Sequence, residues 1–98
     1  MVFRARGVRA ALCGKGFQEH NDRDHRYFFF CHEGKRSHIY TKISHNESEI
    51  NDYLCSEMSR QIKLTRAQFR DLIECPLTAR GYSKLLIGAN HLKIGDPK

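Results

Sequence analysis

The stretch "HRYFFFCHEGKRSHIYTKIS", residues 25–44, limits the possible folds more than any other part of the chain. Residues 25–32 are crowded with aromatic rings, residues 33–35 read Glu-Gly-Lys, and residues 36–44 alternate between polar and apolar side chains. Aromatic and β-branched residues suit a pleated, half-buried backbone, and a short glycine-containing break between two such runs marks a β-hairpin. With Glu33 and Gly34 as the loop, regular pairing sets Cys31 opposite Arg36, Phe29 opposite His38 and Phe28 opposite Ile39. Successive side chains point to opposite faces of a strand. One face then carries Phe28, Phe30, Ile39 and Thr41 and packs on helices, and the other carries His25, Tyr27, Phe29, Cys31, Arg36, His38, Tyr40 and Lys42. A change of one residue in loop length would invert this division. Ile43, which falls on the same side as Ile39, Phe28 and Phe30, favours the parity as drawn.

The flanking segments read as helices with one further strand. Val8, Ala11 and Leu12 stand at i, i+3 and i+4, so residues 8–16 predict a short helix stopped by Gly14 and Gly16. Residues 17–20 suit a short first strand, followed by the polar loop 21–24. Ile50, Tyr53, Leu54, Met58 and Ile62 trace an apolar stripe that predicts a helix over 47–62, capped by Ser44 or Asn46, with Glu47 and Glu49 suited to its positive end. Thr65 and Gln68 form a capping box, with Leu64 and Phe69 placed as a hydrophobic staple, for a helix that ends before Pro76. Thr78 can cap a last helix through Ile87 that buries Tyr82, Leu85 and Leu86. The order predicts an α+β, two-layer domain. Its main part spans residues 1–62, a helical extension (63–88) packs on the same domain, and 89–98 form a flexible tail.

A chain of 98 residues makes one small domain, able to bury about two-thirds of the surface it exposes when unfolded. Cys13, Cys31, Cys55 and Cys75 are widely spaced, and the segment "MVFRARGVRAALCGKGF" lacks the apolar run of a secretory leader. The expectation is a cytoplasmic protein with four reduced thiols. No apolar run is long enough to span a bilayer. Cys31, His32 and His38 lack a second ligand pair, and adjacent Cys31 and His32 would point to opposite faces, so neither metal nor other cofactor is expected. The net charge of +6 favours an anionic partner, nucleic acid first.

The helix before "KGFQEHNDRDHRYFFFCHEGKRSHIYTKISH", that segment, and the helix after it together resemble the HicA toxins of prokaryotic toxin–antitoxin systems, over roughly residues 8–62. Gly16-Phe17 match the family's Gly-Phe pair, His25 matches the histidine that opens its second strand, and His45 stands where many members carry another histidine. The resemblance implies a double-stranded-RNA-binding-like α-β-β-β-α fold. It also implies a ribonuclease that cuts messenger RNA with the first histidine, and a HicB-like antitoxin that masks it. Typical members have Gly-Ser-His where this chain has Arg23-Asp24-His25, which alters how the loop meets a phosphate and sets an RNA-repelling aspartate beside the histidine. Residues 65–87 add helices that compact members of the family lack.

Histidine can act as a general base near neutral pH. His25 would take the proton of a 2′-hydroxyl and Lys42, placed across from it by the regular pairing, would stabilise the developing charge without metal. Tyr27, Phe29 and Tyr40 could stack unpaired bases, with Arg26, Arg36, His38 and His45 nearby. Arg4, Arg6, Arg9 and Lys15 could contact phosphates. The opposing arrangement has residues 65–87 folding back over the aromatic face as a second core. Two other function classes stand beside the ribonuclease: a non-catalytic module that binds structured RNA, and a protein-interaction subunit.

Overall fold

The structure, a computed structural model, describes residues 2–74 and 76–92. Its elements in chain order are β1 (Phe3–Arg4), α1 (Ala5–Gly14), β2 (Phe17–Asn21), β3 (His25–His32), β4 (Lys35–Ser44), β5 (Glu49–Ile50), α2 (Asp52–Gln61), α3 (Arg66–Ile73) and α4 (Ala79–Gly88). The fold is α+β. Strands β2-β3-β4 form an antiparallel sheet in that order, and β1 pairs with β5 in a separate two-stranded ribbon.

The hairpin turns through Glu33 and Gly34, whose φ angles of 53° and 79° lie in the left-handed region that glycine tolerates best. Cys31 faces Arg36, but beyond it the register slips by two residues, so that Phe29 faces Tyr40, Phe28 faces Thr41 and Tyr27 faces Lys42. Two partners expected from regular pairing, Phe29–His38 and Phe28–Ile39, are therefore replaced. Ser37 fills the irregularity: its hydroxyl donates to the Phe30 carbonyl at 2.6 Å and accepts from the Ile39 N–H at 3.1 Å. A two-residue slip preserves the side-chain alternation. Phe28, Phe30, Ile39, Thr41 and Ile43 are accordingly all buried on the helix side, as expected.

Gly16, with φ of 96°, carries the chain from α1 into β2, and a Cβ there would lie 3.2 Å from the Phe30 ring. Phe17 follows directly, its ring 5.2 Å from Phe30 and 5.6 Å from Tyr82. The Gly-Phe pair thus combines a positive-φ turn with a core anchor. Tyr82 is fully buried, meets Phe30 edge-on, and donates its hydroxyl to the Ile62 carbonyl at 2.7 Å. Burial pushes its pKa far up, so it remains a donor.

Several boundaries differ from those expected. The first helix begins at Ala5 and buries Ala5, Val8 and Leu12. The second begins at Asp52 because Glu49–Ile50 pair with β1; its cap is Asn51, whose side chain accepts from the Leu54 N–H, and not Ser44 or Asn46. Its buried side is Cys55, Met58, Ser59 and Ile62, which leaves Tyr53 69% exposed. The break before α3 is real: Lys63 has φ of 67°, and Thr65 and Gln68 close both halves of the capping box. Thr78 caps α4, which buries Tyr82 and Leu86 but not Leu85. Of the tail, Leu92 packs against the core, and 93–98 lie outside the described residues. Helices α3 and α4 join one core with the sheet through Phe69, Leu72, Tyr82 and Leu86, all on the helix side.

Candidate nucleic-acid interface

The helices gather on one side of the sheet, and the opposite face carries a row of rings. Phe29 and Tyr40 are stacked with centroids 5.2 Å apart, Tyr27 lies 6.3 Å from Phe29 and 6.0 Å from Tyr40, and His25 continues the row 6.0 Å from Tyr27. The Arg36 guanidinium sits 4.4 Å above the Phe29 ring and donates to Gln18 Oε1 at 3.1 Å. Tyr40 is 43% exposed, Tyr27 and Phe29 are half-buried, and His38 and Lys42 are exposed. Among the described residues, no helix covers this face. The arrangement in which residues 65–87 fold back over the rings is not the one adopted. The packing of Phe17 and Phe30 on Tyr82 accounts for that, since it holds α4 on the other side.

His25 is placed by a tight loop. Asp22 accepts from the backbone N–H of Asp24 and of His25, each at 2.8 Å, and these two bonds, His25 first, hold its carboxyl below the usual range. The Tyr27 hydroxyl is pushed up by desolvation and then by the Asp22 charge, so it is held as a donor. His45 latches the same loop. Its N–H donates to the Asp24 carbonyl at 3.3 Å and its Nε2 bonds the Asp22 carbonyl at 2.8 Å. This gives His45 a structural task in the loop.

Because of the slip, His25 faces Ser44 and not Lys42. The two side chains nevertheless line one cleft of about 240 Å³ between the end of β4 and α2, with Glu47, Tyr53, Glu57 and Gln61 around them. Thr41 donates to Gln61 Oε1 at 2.6 Å, which fixes the amide. Tyr53 and Gln61 were not expected here. Tyr53 is not in the buried stripe: burial of Cys55, Met58, Ser59 and Ile62 turns it outward.

The basic residues divide into separate groups. Arg4, Arg6, Arg9 and Arg26 surround a second cleft, of about 290 Å³, at the start of α1. Arg26 lies on the helix side of β3, away from the aromatic face, and shares Glu19 with Arg9 at 3.9 and 3.0 Å. Lys15 is engaged within the fold: its Nζ donates to the Leu72 and Leu77 carbonyls at 2.9 and 2.5 Å, closing α1 on the α3–α4 connection.

Among the described residues, no three histidine, cysteine or acidic side chains come together as a metal-ligand set, and no helix is long and apolar enough to cross a membrane. Cys13, Cys31 and Cys55 are free thiols; burial raises the pKa of Cys13, aided by Glu19, and that of Cys55. Cys75 lies outside the described residues. No family model matches the chain, and no curated protein or solved structure matches it either.

Proposed function

We propose that the protein binds RNA through the open sheet face, as a HicA-like domain with a double-stranded-RNA-binding-like core and added C-terminal helices. One observation carries the reading: Tyr27, Phe29 and Tyr40 form a stacked, accessible row edged by Arg36, His38 and Lys42. A face meant only to be solvated has no use for three adjacent rings, and base stacking on such rings contributes about 1–3 kcal/mol per base in single-strand binders. The net charge of +6 adds phosphate attraction. The test is a binding titration with unpaired RNA at several salt concentrations, on wild type and Tyr40→Ala. Salt-dependent binding that weakens at least tenfold in the variant supports the reading, and wild-type protein that ignores RNA at low salt overturns it.

A specific observation also favours cleavage: His25 and Lys42 line one cleft beside the rings. There the His25 imidazole removes the proton of a 2′-hydroxyl, whose oxygen attacks the adjacent phosphorus. The bond to the 5′-oxygen breaks, a 2′,3′-cyclic phosphate forms, and the departing oxygen takes a proton from water. Lys42 offsets the charge on the phosphoryl oxygens. A HicB-like antitoxin would act by covering this face. Cleavage that persists in a chelator and disappears in His25→Ala supports the step, whereas binding without cleavage leaves the protein a binding module.

A further inference from the structure

The cleft that holds His25 and Lys42 is the middle of three. On one side it meets a cleft of about 290 Å³ lined by His38, Tyr40, Lys42, Gln61 and Lys63, and the two share Lys42 and Gln61. On the other side it meets the arginine cleft, and those two share Glu47. The three clefts are therefore neighbours, each bordered by a side chain of the next. In order they pass from Tyr40 through His25 to Arg4, Arg6, Arg9 and Arg26. Lys42, Lys63 and the four arginines line them with two carboxylates, Glu47 and Glu57; Arg9 and Arg26 already share Glu19, and Glu57 is engaged by Arg60 at 2.7 Å.

Resting on the RNA-binding reading, we infer that these clefts form one track for a single strand of RNA, with bases seated on the rings at one end and phosphates held by the arginines at the other. Two features select an unpaired strand. The ring end needs base faces that a duplex keeps stacked inside itself. The arginine end lies on the helix side of the sheet, so a ligand must bend round the sheet end to reach both. His25 stands between the two anchors, so a strand bound at both ends carries its backbone across the imidazole. Glu47, at the junction with the arginines, is exposed and repels that backbone. It sets the resistance to longer ligands.

The experiment measures anisotropy of labelled unpaired RNAs of about 4 and about 12 nucleotides, bracketing a small domain's single-strand site, beside a duplex of about 12 base pairs. Wild type is compared with Arg4→Gln/Arg6→Gln and with Glu47→Gln. Arg4 and Arg6 are exposed and, among the described residues, enter no ion pair. For the longer strand the double variant should lower the slope of log affinity on log salt by about 1.4, or 0.7 for each lost phosphate contact. Glu47→Gln should tighten the same strand roughly fivefold, the effect of removing one like charge at contact distance in water. Neither variant should change binding of the short strand. If wild type binds RNA while the longer strand is indifferent to both variants, or the duplex binds as tightly as the single strand, the track is wrong and the aromatic face alone remains. If no RNA binds wild type at any salt, the track falls with the reading beneath it.

Discussion

His25 and Phe28 stand three residues apart on β3 and serve opposite sides of the sheet. Phe28 has no exposed surface and lies in the core, so Phe28→Ala should cost about 3–5 kcal/mol. His25 uses its backbone N–H, not its ring, to hold the loop, so His25→Ala should change stability by less than about 0.5 kcal/mol while removing any cleavage. Denaturant melts run beside an RNA cleavage assay separate the two, and an early melt for His25→Ala would make the histidine structural. Asp22 adds an acid dependence. Its folded pKa lies below its ordinary value of 3.8, so its contribution is fully present above that value and is lost as pH falls through the lowered one. Melting temperatures of wild type and Asp22→Asn, followed from about pH 6 to about pH 2, should converge at the acid end. At this scale the facing of side chains was legible and their partners were not. Alternation reports parity alone, and the two-residue slip at Ser37 keeps parity while moving Lys42 from His25 to Tyr27. The tasks of Lys15 and His45 were hidden because their acceptors lie far along the chain or in another loop.

Among the elements, those with local chemistry were the most legible. Thr65 and Gln68 close their box within one turn, and the start of α3 follows from it. Thr65→Ala should cost about 1 kcal/mol, read from a denaturant midpoint shift at constant slope. Thr65→Ser, which keeps the hydroxyl, should recover most of the loss. The start of α2 was placed too early for a physical reason: Glu49–Ile50 form a two-residue strand with Phe3–Arg4, and two residues carry no period. Once those residues pair, the helix can begin only at Asp52, its cap moves to Asn51, and Tyr53 turns outward beside His25.

For the whole molecule, the sequence division at residue 62 marks the limit of the family resemblance, not a boundary in the packing. Phe17 and Phe30 pack on Tyr82, and Lys15 binds the carbonyls of Leu72 and Leu77. A chain ending at Ile62 would leave those rings in water, so it should show no cooperative melt by circular dichroism, and a compact two-state fragment would contradict the shared core. The α+β architecture could be read because a run of strand periods is followed by a run of helical ones. Which face of the sheet the extension covers could not, since Phe69, Leu72, Tyr82 and Leu86 are as apolar as any helix stripe and carry no address. The Lys15 clasp also has a temporal side. Its ammonium group is synthesised 62 residues before the Leu77 carbonyl that it binds. At about 5–20 residues per second a ribosome takes roughly 3–12 s to cover that distance. The three strands are made within that interval, so once β4 is complete the first helix and the sheet wait without their lid, and the domain can close only after α4 has left the exit tunnel.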